Sequence, residues 1–190
     1  MKEYVEKWCC LIIFRTQEKD VNESTAGTMA STSHTIQLAN AISCTKHVYY
    51  HRMINENDGF DGKVNRFIVE GENKVNQRQE AFEHAFASGF RKVILIDDDM
   101  LSLETKHIEE AFYSLKLIEF CIGAKKFGGF YLLGMNYFEP AIFFNMRLDS
   151  PTAVKEFIRE IGKTRKALYK LPELSTPSST PKSLSGQTHL

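Results

Sequence analysis

The stretch of sequence that decides the fold is Val93-Ile94-Leu95-Ile96-Asp97-Asp98-Asp99. Four apolar residues follow one another without a polar break, which is typical of a parallel strand buried on both faces of a sheet. Three carboxylates come directly after them. In open α/β folds the residues that follow such a strand lie at the carboxyl edge of the sheet, where ligands bind. We therefore expect a ligand site at Asp97, Asp98 and Asp99.

Two interpretations of these three aspartates stay open. Adjacent carboxylates repel one another unless a cation or a donor-rich partner compensates them, and Mg²⁺ or Mn²⁺ held with a diphosphate is the usual compensation. Alternatively, the aspartates cap backbone N–H groups at a polar strand end. Capping is sufficient to explain a single aspartate, whereas three in a row after a buried strand also suggest a metal site.

Composition narrows the class of protein. The 190 residues, 43% hydrophobic and 25% charged, suit one globular domain with a substantial core. With 24 basic and 24 acidic residues the formal net charge is zero, so we expect no nucleic-acid binding through a broad basic surface. The four cysteines form no C-x-x-C pair, and no apolar run is long enough for a secretion signal or a membrane span. A reduced, cytoplasmic setting without membrane attachment is the prediction.

Hydrophobic patterns along the chain predict alternating strands and helices. Strands are expected at residues 8–14, 47–51, 67–69, 93–96, 120–123, 130–133 and 167–171. Helices are expected at residues 35–43, at 77–88, after a cap at Ser102, and at 151–162 after a cap at Ser150. The polar segment 15–35 is predicted to be a long loop.

This alternation predicts a mixed α/β fold. We expect residues 1–174 to form one three-layer α/β/α sandwich with a mostly parallel sheet, and the Ser/Thr/Pro-rich residues 175–190 to form a weakly ordered tail. His47 and His51 are predicted to be surface or edge residues. An aromatic cluster is predicted to lie in the core, and its members are Tyr137, Phe138, Phe143 and Phe144.

A family resemblance becomes specific between residues 89 and 174. The runs that carry it are Gly89-Phe90-Arg91-Lys92 leading into 93–99, Ile108-Glu109-Glu110-Ala111-Phe112, Gly128-Gly129-Phe130-Tyr131-Leu132-Leu133-Gly134 and Leu171-Pro172-Glu173-Leu174. In this order and spacing the chain resembles the bacterial GT-A-type proteins called radical-SAM/selenodomain-associated glycosyltransferases. The resemblance implies a nucleotide-diphospho-sugar transferase fold that binds a nucleotide at the carboxyl edge of its sheet.

The resemblance also implies roles for particular residues. Asp99 takes the place of the family's own aspartate, and Asp97 and Asp98 are additions that produce an Asp-x-Asp pattern. Asp97 and Asp99 would hold Mg²⁺ or Mn²⁺, which stabilises a leaving nucleotide. Residues expected to bind the nucleotide sugar are Asp98, Gly128, Gly129 and Tyr131. The glycines have a second explanation, since a tight turn also needs positive φ or a close approach.

The chain departs from the family pattern at three places. A basic loop after the first strand, suited to binding phosphates, corresponds here to residues 20–27, which contain no Lys or Arg. Where the family has an aspartate before the two glycines, this chain has Phe127. Where the family has carboxylates near the C-terminus, this chain has Thr176-Pro177-Ser178. Without the basic loop, only a metal or a few basic residues could offset a diphosphate, namely Arg15, Lys19, Lys125 and Lys126.

Two functional hypotheses follow from this pattern. The first is a metal-dependent glycosyltransferase that uses a nucleotide-activated sugar, with no general base assigned and Glu173 and Asp149 as guesses. The second is a homologue that keeps the fold, has lost the reaction and serves as a binding or regulatory protein. An open pocket with room for a diphosphate favours the first, whereas a pocket filled by Phe127 or by the 15–35 segment favours the second.

Overall fold

The computed structural model has a central seven-stranded sheet with helices on both faces. It describes residues 8–15, 25–70, 73–98, 100–148 and 150–175. The strands are β1 (Cys9–Phe14), β2 (Thr45–Tyr50), β3 (Val64–Ile68), β4 (Lys92–Ile96), β5 (Phe120–Ala124), β6 (Phe130–Met135) and β7 (Leu168–Lys170). The helices are α1 (Thr25–Ala41), α2 (Lys74–Ala87), α3 (Thr105–Ser114) and α4 (Ala153–Thr164), with a short 3₁₀ turn at Pro140–Phe143.

The strand order is β3-β2-β1-β4-β6-β5-β7. β1 pairs in parallel with β2 and β4, β2 pairs in parallel with β3, and β5 pairs in parallel with β7. β6 is antiparallel to both of its neighbours, β4 and β5. Six strands therefore run in one direction, and β6 begins at the edge where β4 and β5 end. This confirms the predicted mixed α/β sandwich with a mostly parallel sheet.

The core forms two layers, one on each face of the sheet. α1 and α3 cover one face through residues that include Leu38, Ala39, Ile108 and Phe112. α2, α4 and the 3₁₀ turn cover the other face through residues that include Phe82, Phe143 and Phe157. All six residues of β1 are buried because both layers pack on this strand. The four cysteines are buried, and none of them forms a disulfide with another described residue. Within the described ranges, no helix is long and apolar enough to cross a membrane.

The helix predictions need three corrections. α1 begins at Thr25, inside the segment predicted to be a loop, and its apolar stripe is short. The Ser102 hydroxyl donates to the Ser175 carbonyl instead of capping α3, whose N-cap is Glu104. The N-cap of α4 is Thr152, and this helix ends at Arg165 in the left-handed region, past the expected Gly162. Gly89, with φ of +89°, follows Ser88, the C-cap of α2.

The aromatic prediction is correct for Phe143 and wrong for Phe144. Phe143 is buried, Tyr137 and Phe138 pack at the margin of the same layer, and Phe144 is 84% exposed. Its position at the end of the short 3₁₀ turn directs the ring outward, because consecutive residues of such a turn face different directions. The predicted tail beyond Ser175 lies outside the described residues.

His47 is buried, contrary to the prediction that it is a surface or edge residue. Its ring lies edge-on to the rings of Phe67 and Phe90, with centroids 5.0 and 5.3 Å away. Its Nε2 is 3.2 Å from the Asn65 amide nitrogen. Burial, followed by the positive charge of His84, lowers the pKa of His47 to about 4. The sequence could not show this because the ring is covered by β3 and α2, and only the tertiary packing places these elements beside β2.

The turn between β5 and β6 depends on two glycines. Gly128 and Gly129 have φ of +104° and +76°. A Cβ on Gly128 would lie 2.8 Å from the Pro151 Cα, whereas a Cβ on Gly129 would meet nothing within 4 Å. Positive φ therefore explains Gly129, and positive φ together with close backbone contact explains Gly128.

The two glycines predict different costs of substitution. Gly129→Ala should reduce the free energy of unfolding by about 1 kcal/mol, from backbone strain alone. Gly128→Ala should cost about 3 kcal/mol, because the methyl group also displaces Pro151. Urea unfolding of the two variants measures the difference. Equal losses would show that Pro151 yields without cost.

Acid should destabilise the protein through His47. Because the folded-state pKa of His47 is about 4 against 6.5 for an unperturbed histidine, the unfolded chain binds the proton more readily. The stabilisation is present above pH 6.5 and is lost as the pH falls towards 4. Between pH 7 and pH 5, the wild type should lose about 2 kcal/mol more unfolding free energy than His47→Gln.

Urea unfolding at both pH values tests the His47 prediction, with His51→Gln as the matched control because His51 is less buried. His51→Gln should retain most of the wild-type pH dependence. If His47→Gln and the wild type lose the same free energy, His47 is not the group that titrates.

Candidate functional site

The candidate site is a polar cleft of about 380 Å³ at the carboxyl edge of the sheet. Its volume lies in the range of small-molecule sites. Asp97 reaches the cleft from the end of β4, and Lys125 reaches it from the end of β5. The remaining lining residues come from the start of α2, from the β5–β6 turn and from the segment before α4, and they are Lys74, Arg78, Phe127, Gly128, Gly129, Phe130, Leu148, Ser150 and Pro151.

An ion pair joins the two strand ends. Lys125 Nζ lies 2.7 Å from Asp97 Oδ2, and the exposed fractions of the two side chains are 13% and 31%. The contact spans 28 residues of sequence. It forms because β6 begins between β4 and β5, so that both strands deliver their next residue to the same edge. A partly buried ammonium–carboxylate pair is stronger than an exposed one, since water screens it less.

Helix α2 brings two further cations to the cleft. Lys74 is the first residue of α2, and Arg78 follows one turn later. The Arg78 guanidinium lies 5.1 Å from the centroid of the Phe14 ring at the end of β1. The N-terminal end of a helix also carries a partial positive charge. Three cationic side chains therefore face one cleft, and Asp97 is the single carboxylate among the described residues that line it.

The pKa of His51 is affected by charges at the cleft and next to it. Burial lowers the pKa of His51, the positive charge of Arg78 lowers it further, and Lys74 acts in the same direction. Asp98 opposes them by raising this pKa. The ends of β2 and β4 and the start of α2 therefore share one electrostatic environment.

The predicted site residues are only partly brought together. Asp97, Gly128 and Gly129 line the cleft. Asp98 is 4% exposed, and its backbone carbonyl accepts a hydrogen bond from the Thr35 hydroxyl at 3.3 Å. Asp99 lies outside the described residues.

Tyr131 lies in the core and does not line the cleft. It is fully buried, and its hydroxyl donates to the Pro172 carbonyl at 2.8 Å. Burial, followed by the charge of Glu110, raises the pKa of this phenol above its ordinary value. A Cβ on Gly123 would overlap the Tyr131 ring, so the glycine makes room for it.

Phe127 stands at the cleft without filling it. Its side chain is 65% exposed, and Lys126 Nζ lies 5.9 Å from the centroid of its ring. Phe127 therefore leaves the cleft open and presents an aromatic surface beside it. Exposed aromatic rings at such positions stack on planar or ring-shaped ligands.

Of the basic residues considered from sequence, Lys125 alone is a described cleft residue. The Arg15 guanidinium lies 5.8 Å from the centroid of the Phe60 ring, and its Nη1 is buried with no hydrogen bond to any described residue. Lys19 lies outside the described ranges. Sequence reasoning missed Lys74 and Arg78, whose positive charges precede the apolar stripe of α2 by one turn.

The described residues do not fit a divalent metal site. Among them, no three His, Cys, Asp or Glu side chains lie close enough to hold an ion. The carboxylate of Asp97 already accepts a hydrogen bond from Lys125. Mg²⁺ and Mn²⁺ prefer several oxygen ligands around one centre, and the cleft's described side chains offer one paired carboxylate and the Ser150 hydroxyl.

Solved structures share this fold. A protein from Desulfovibrio desulfuricans G20, assigned as a nucleotide-diphospho-sugar transferase, superposes with a TM-score of 0.74 at 17% identity, covering 88% of this chain and 81% of that chain. The 4-diphosphocytidyl-2C-methyl-D-erythritol synthase of Anaerococcus prevotii DSM 20548 has a TM-score of 0.58 at 10% identity, covering 90% and 88%.

A third similar structure contains a metal. It is the manganese complex of Rv0371c from Mycobacterium tuberculosis H37Rv, with a TM-score of 0.53 at 9% identity, covering 92% of this chain and 94% of that chain. At these identities the structural matches establish the fold alone. No curated protein matches the sequence at a significant level.

A family model also matches the sequence itself. Residues 35–150 match the family described as "Uncharacterized protein conserved in bacteria (DUF2064)". The matched region runs from the second half of α1 to the start of the segment before α4, and it includes the ends of β4 and β5 that form the cleft. Because the match spans more than half of the chain, this protein belongs to the DUF2064 family.

Proposed function

We propose that the cleft binds the phosphates of a nucleotide-activated substrate, with a nucleotide sugar as the first candidate. The observation that carries the proposal is the placement of three cationic side chains, Lys74, Arg78 and Lys125, around one open cleft at the carboxyl edge of the sheet. A diphosphate carries at least two negative charges, and guanidinium and ammonium groups are its ordinary partners in proteins.

These cations could supply the positive charge that the sequence lacks at the expected phosphate loop. The basic loop of the glycosyltransferases that the sequence resembles corresponds to residues 20–27, which contain no Lys or Arg. In this protein the compensating charge comes from α2 and from the β5–β6 turn, which both line the cleft. The loss of the loop is therefore compatible with phosphate binding.

The cleft also offers contacts to the rest of such a ligand. Gly128 and Gly129 line the cleft, and the space where a Gly129 side chain would lie is open, so a ligand can approach the backbone closely there. The exposed ring of Phe127 is suited to stacking on a sugar or a base. We include Asp97, Gly128 and Gly129 in the proposed site, and we leave Tyr131 out because it is buried away from the cleft.

The proposed reaction is transfer of a glycosyl group from the nucleotide, and transfer of the nucleotidyl group itself is the related possibility on this fold. The fold is shared with proteins assigned to both kinds of chemistry. Mg²⁺ or Mn²⁺ on Asp97 and Asp99 stays a prediction from the sequence, as does membership of the radical-SAM/selenodomain-associated branch.

The second candidate is a binding protein without catalysis. The observation that favours it is the pairing of Asp97 with Lys125, since the single described carboxylate of the cleft is then held by an ammonium group. A general base needs a carboxylate or imidazole within hydrogen-bond reach of the acceptor hydroxyl. Two residues were considered for this role from sequence. Glu173 is an exposed residue beyond β7, and Asp149 lies outside the described ranges.

Thermal unfolding with a panel of ligands tests the proposed function. The panel contains UDP, CDP, ADP and GDP, their common sugar conjugates and CTP, each with EDTA, Mg²⁺ or Mn²⁺. A ligand at about one hundred times its Kd stabilises the folded state by about 2.7 kcal/mol, which should raise Tm by about 5 to 10 °C. A shift with one nucleotide class would name the substrate. No shift under any condition would contradict the proposal.

Removal of the α2 cations should weaken this binding specifically. Lys74→Met combined with Arg78→Met should raise the Kd of the responding nucleotide by about thirtyfold or more, because two charge-assisted contacts are lost. The matched control is Lys106→Met combined with Lys116→Met, which removes two exposed cations from and just after α3. The control should bind like the wild type. Equal Kd values for the two double variants would place the nucleotide elsewhere.

Incubation with each nucleotide sugar, followed by chromatography of the nucleotide products, separates the two candidates. Release of a nucleoside diphosphate that depends on Lys74 and Arg78 supports the transferase. If a nucleotide sugar binds tightly and is recovered intact in the presence of every acceptor class, the result supports a binding protein without catalysis.

A further inference from the structure

The ion pair between Lys125 and Asp97 lies where the sequence pattern places a metal ion. Asp97 is the first carboxylate after β4 and the first member of the Asp-x-Asp pattern. Lys125 Nζ is 2.7 Å from its Oδ2, and the lysine side chain is 13% exposed. The positive charge that pairs with Asp97 is therefore part of the protein.

The backbone of Lys125 is fixed by hydrogen bonds on both sides. Its N–H donates to the Gly129 carbonyl at 3.0 Å, and its carbonyl accepts from the Gly128 N–H at 3.1 Å. It also forms a parallel bridge with Leu174, whose carbonyl accepts from the Lys126 N–H at 2.9 Å. The ammonium group is thus delivered to Asp97 by a rigid turn, so that little additional order is needed when a ligand binds.

A divalent ion and this ammonium group compete for the same carboxylate. Mg²⁺ binds carboxylate oxygens at about 2.1 Å, which would place it close to the Lys125 nitrogen. Like charges at such a distance repel strongly in a partly buried site. Metal binding at this Asp97 oxygen would therefore require the Lys125 ammonium group to move away from it, and two further cations, Lys74 and Arg78, line the same cleft.

We propose that Lys125 takes the role of the divalent metal, so that the protein binds the diphosphate of its ligand without a metal ion. This inference rests on the proposed function of the cleft. An ammonium group can donate to a carboxylate and to phosphate oxygens at the same time. Asp97 then positions Lys125 beside the phosphates, and Lys74 and Arg78 complete the positive charge around them.

Isothermal titration calorimetry of the full chain with inorganic pyrophosphate, UDP, CDP, ADP and GDP tests this inference, in EDTA and in Mg²⁺ or Mn²⁺. For at least one of these probes, wild-type Kd values in EDTA and in metal should agree within about twofold. Lys125→Met should raise the Kd in EDTA about tenfold or more, because one charge-assisted contact of about 1.4 kcal/mol or more is lost. Lys126→Met is the matched control, since its side chain does not line the cleft, and it should bind like the wild type.

Asp97→Asn provides a second test that does not depend on the stability of Lys125→Met. If Lys125 supplies the charge, the variant removes a negative charge from the cleft and keeps the ammonium group, so binding of pyrophosphate in EDTA should be retained or become tighter. If a metal supplies the charge, the same variant should lose binding. Far-UV circular dichroism and Tm establish that each variant is folded.

The outcomes separate the two levels of the proposal. Binding by the wild type only in the presence of Mg²⁺ or Mn²⁺ would overturn the role of Lys125 and leave the proposed function intact. Absence of binding by every probe, with or without metal, would overturn the proposed function itself. Metal-free binding that is unchanged in Lys125→Met would also overturn the inference.

Discussion

The antiparallel strand β6 between β4 and β5 is the constraint on which the candidate site depends. Because β6 starts where its two neighbours end, the residues after β4 and β5 meet at one edge of the sheet. The connection from β5 to β6 must then reverse the chain within a few residues. Gly128 and Gly129 permit this reversal through positive φ, and Gly128 also allows the turn to pack against Pro151. One topological feature thus sets the position of Asp97, Lys125 and the glycine wall.

The electrostatic character of the cleft follows from the same arrangement. A binding site for phosphates needs fixed positive charge, and proteins of this kind can place that charge on a loop, on a metal or on side chains at the sheet edge. Here Lys74 and Arg78 at the start of α2 line the same cleft as Lys125. The cleft has more cationic than acidic side chains among its described residues, although the whole chain has a formal net charge of zero.

The prediction from sequence succeeded where the signal was a continuous apolar run. β1 and β4 were identified from residues that are buried on both faces of the sheet, a pattern that polar segments do not imitate. α1 was partly missed because its first half is rich in small and hydroxyl-bearing residues, whereas Ile36, Leu38 and Ala39 in its second half pack on the core. Ser and Thr are common in loops as well as in helices, so composition alone does not distinguish the two.

The sequence by itself determined the strand that carries the acidic run, its burial and its delivery of Asp97 to the carboxyl edge, because hydrophobic periodicity is a local property of the chain. Only the tertiary structure decided that Asp97 meets Lys125, that Lys74 and Arg78 face the same cleft, that Phe127 leaves it open and that Tyr131 is a core residue. These contacts join residues distant in sequence, and their partners are set by strand order and by helix position. Local patterns predict where a charge lies along an element, and the packing of elements decides which charge it meets.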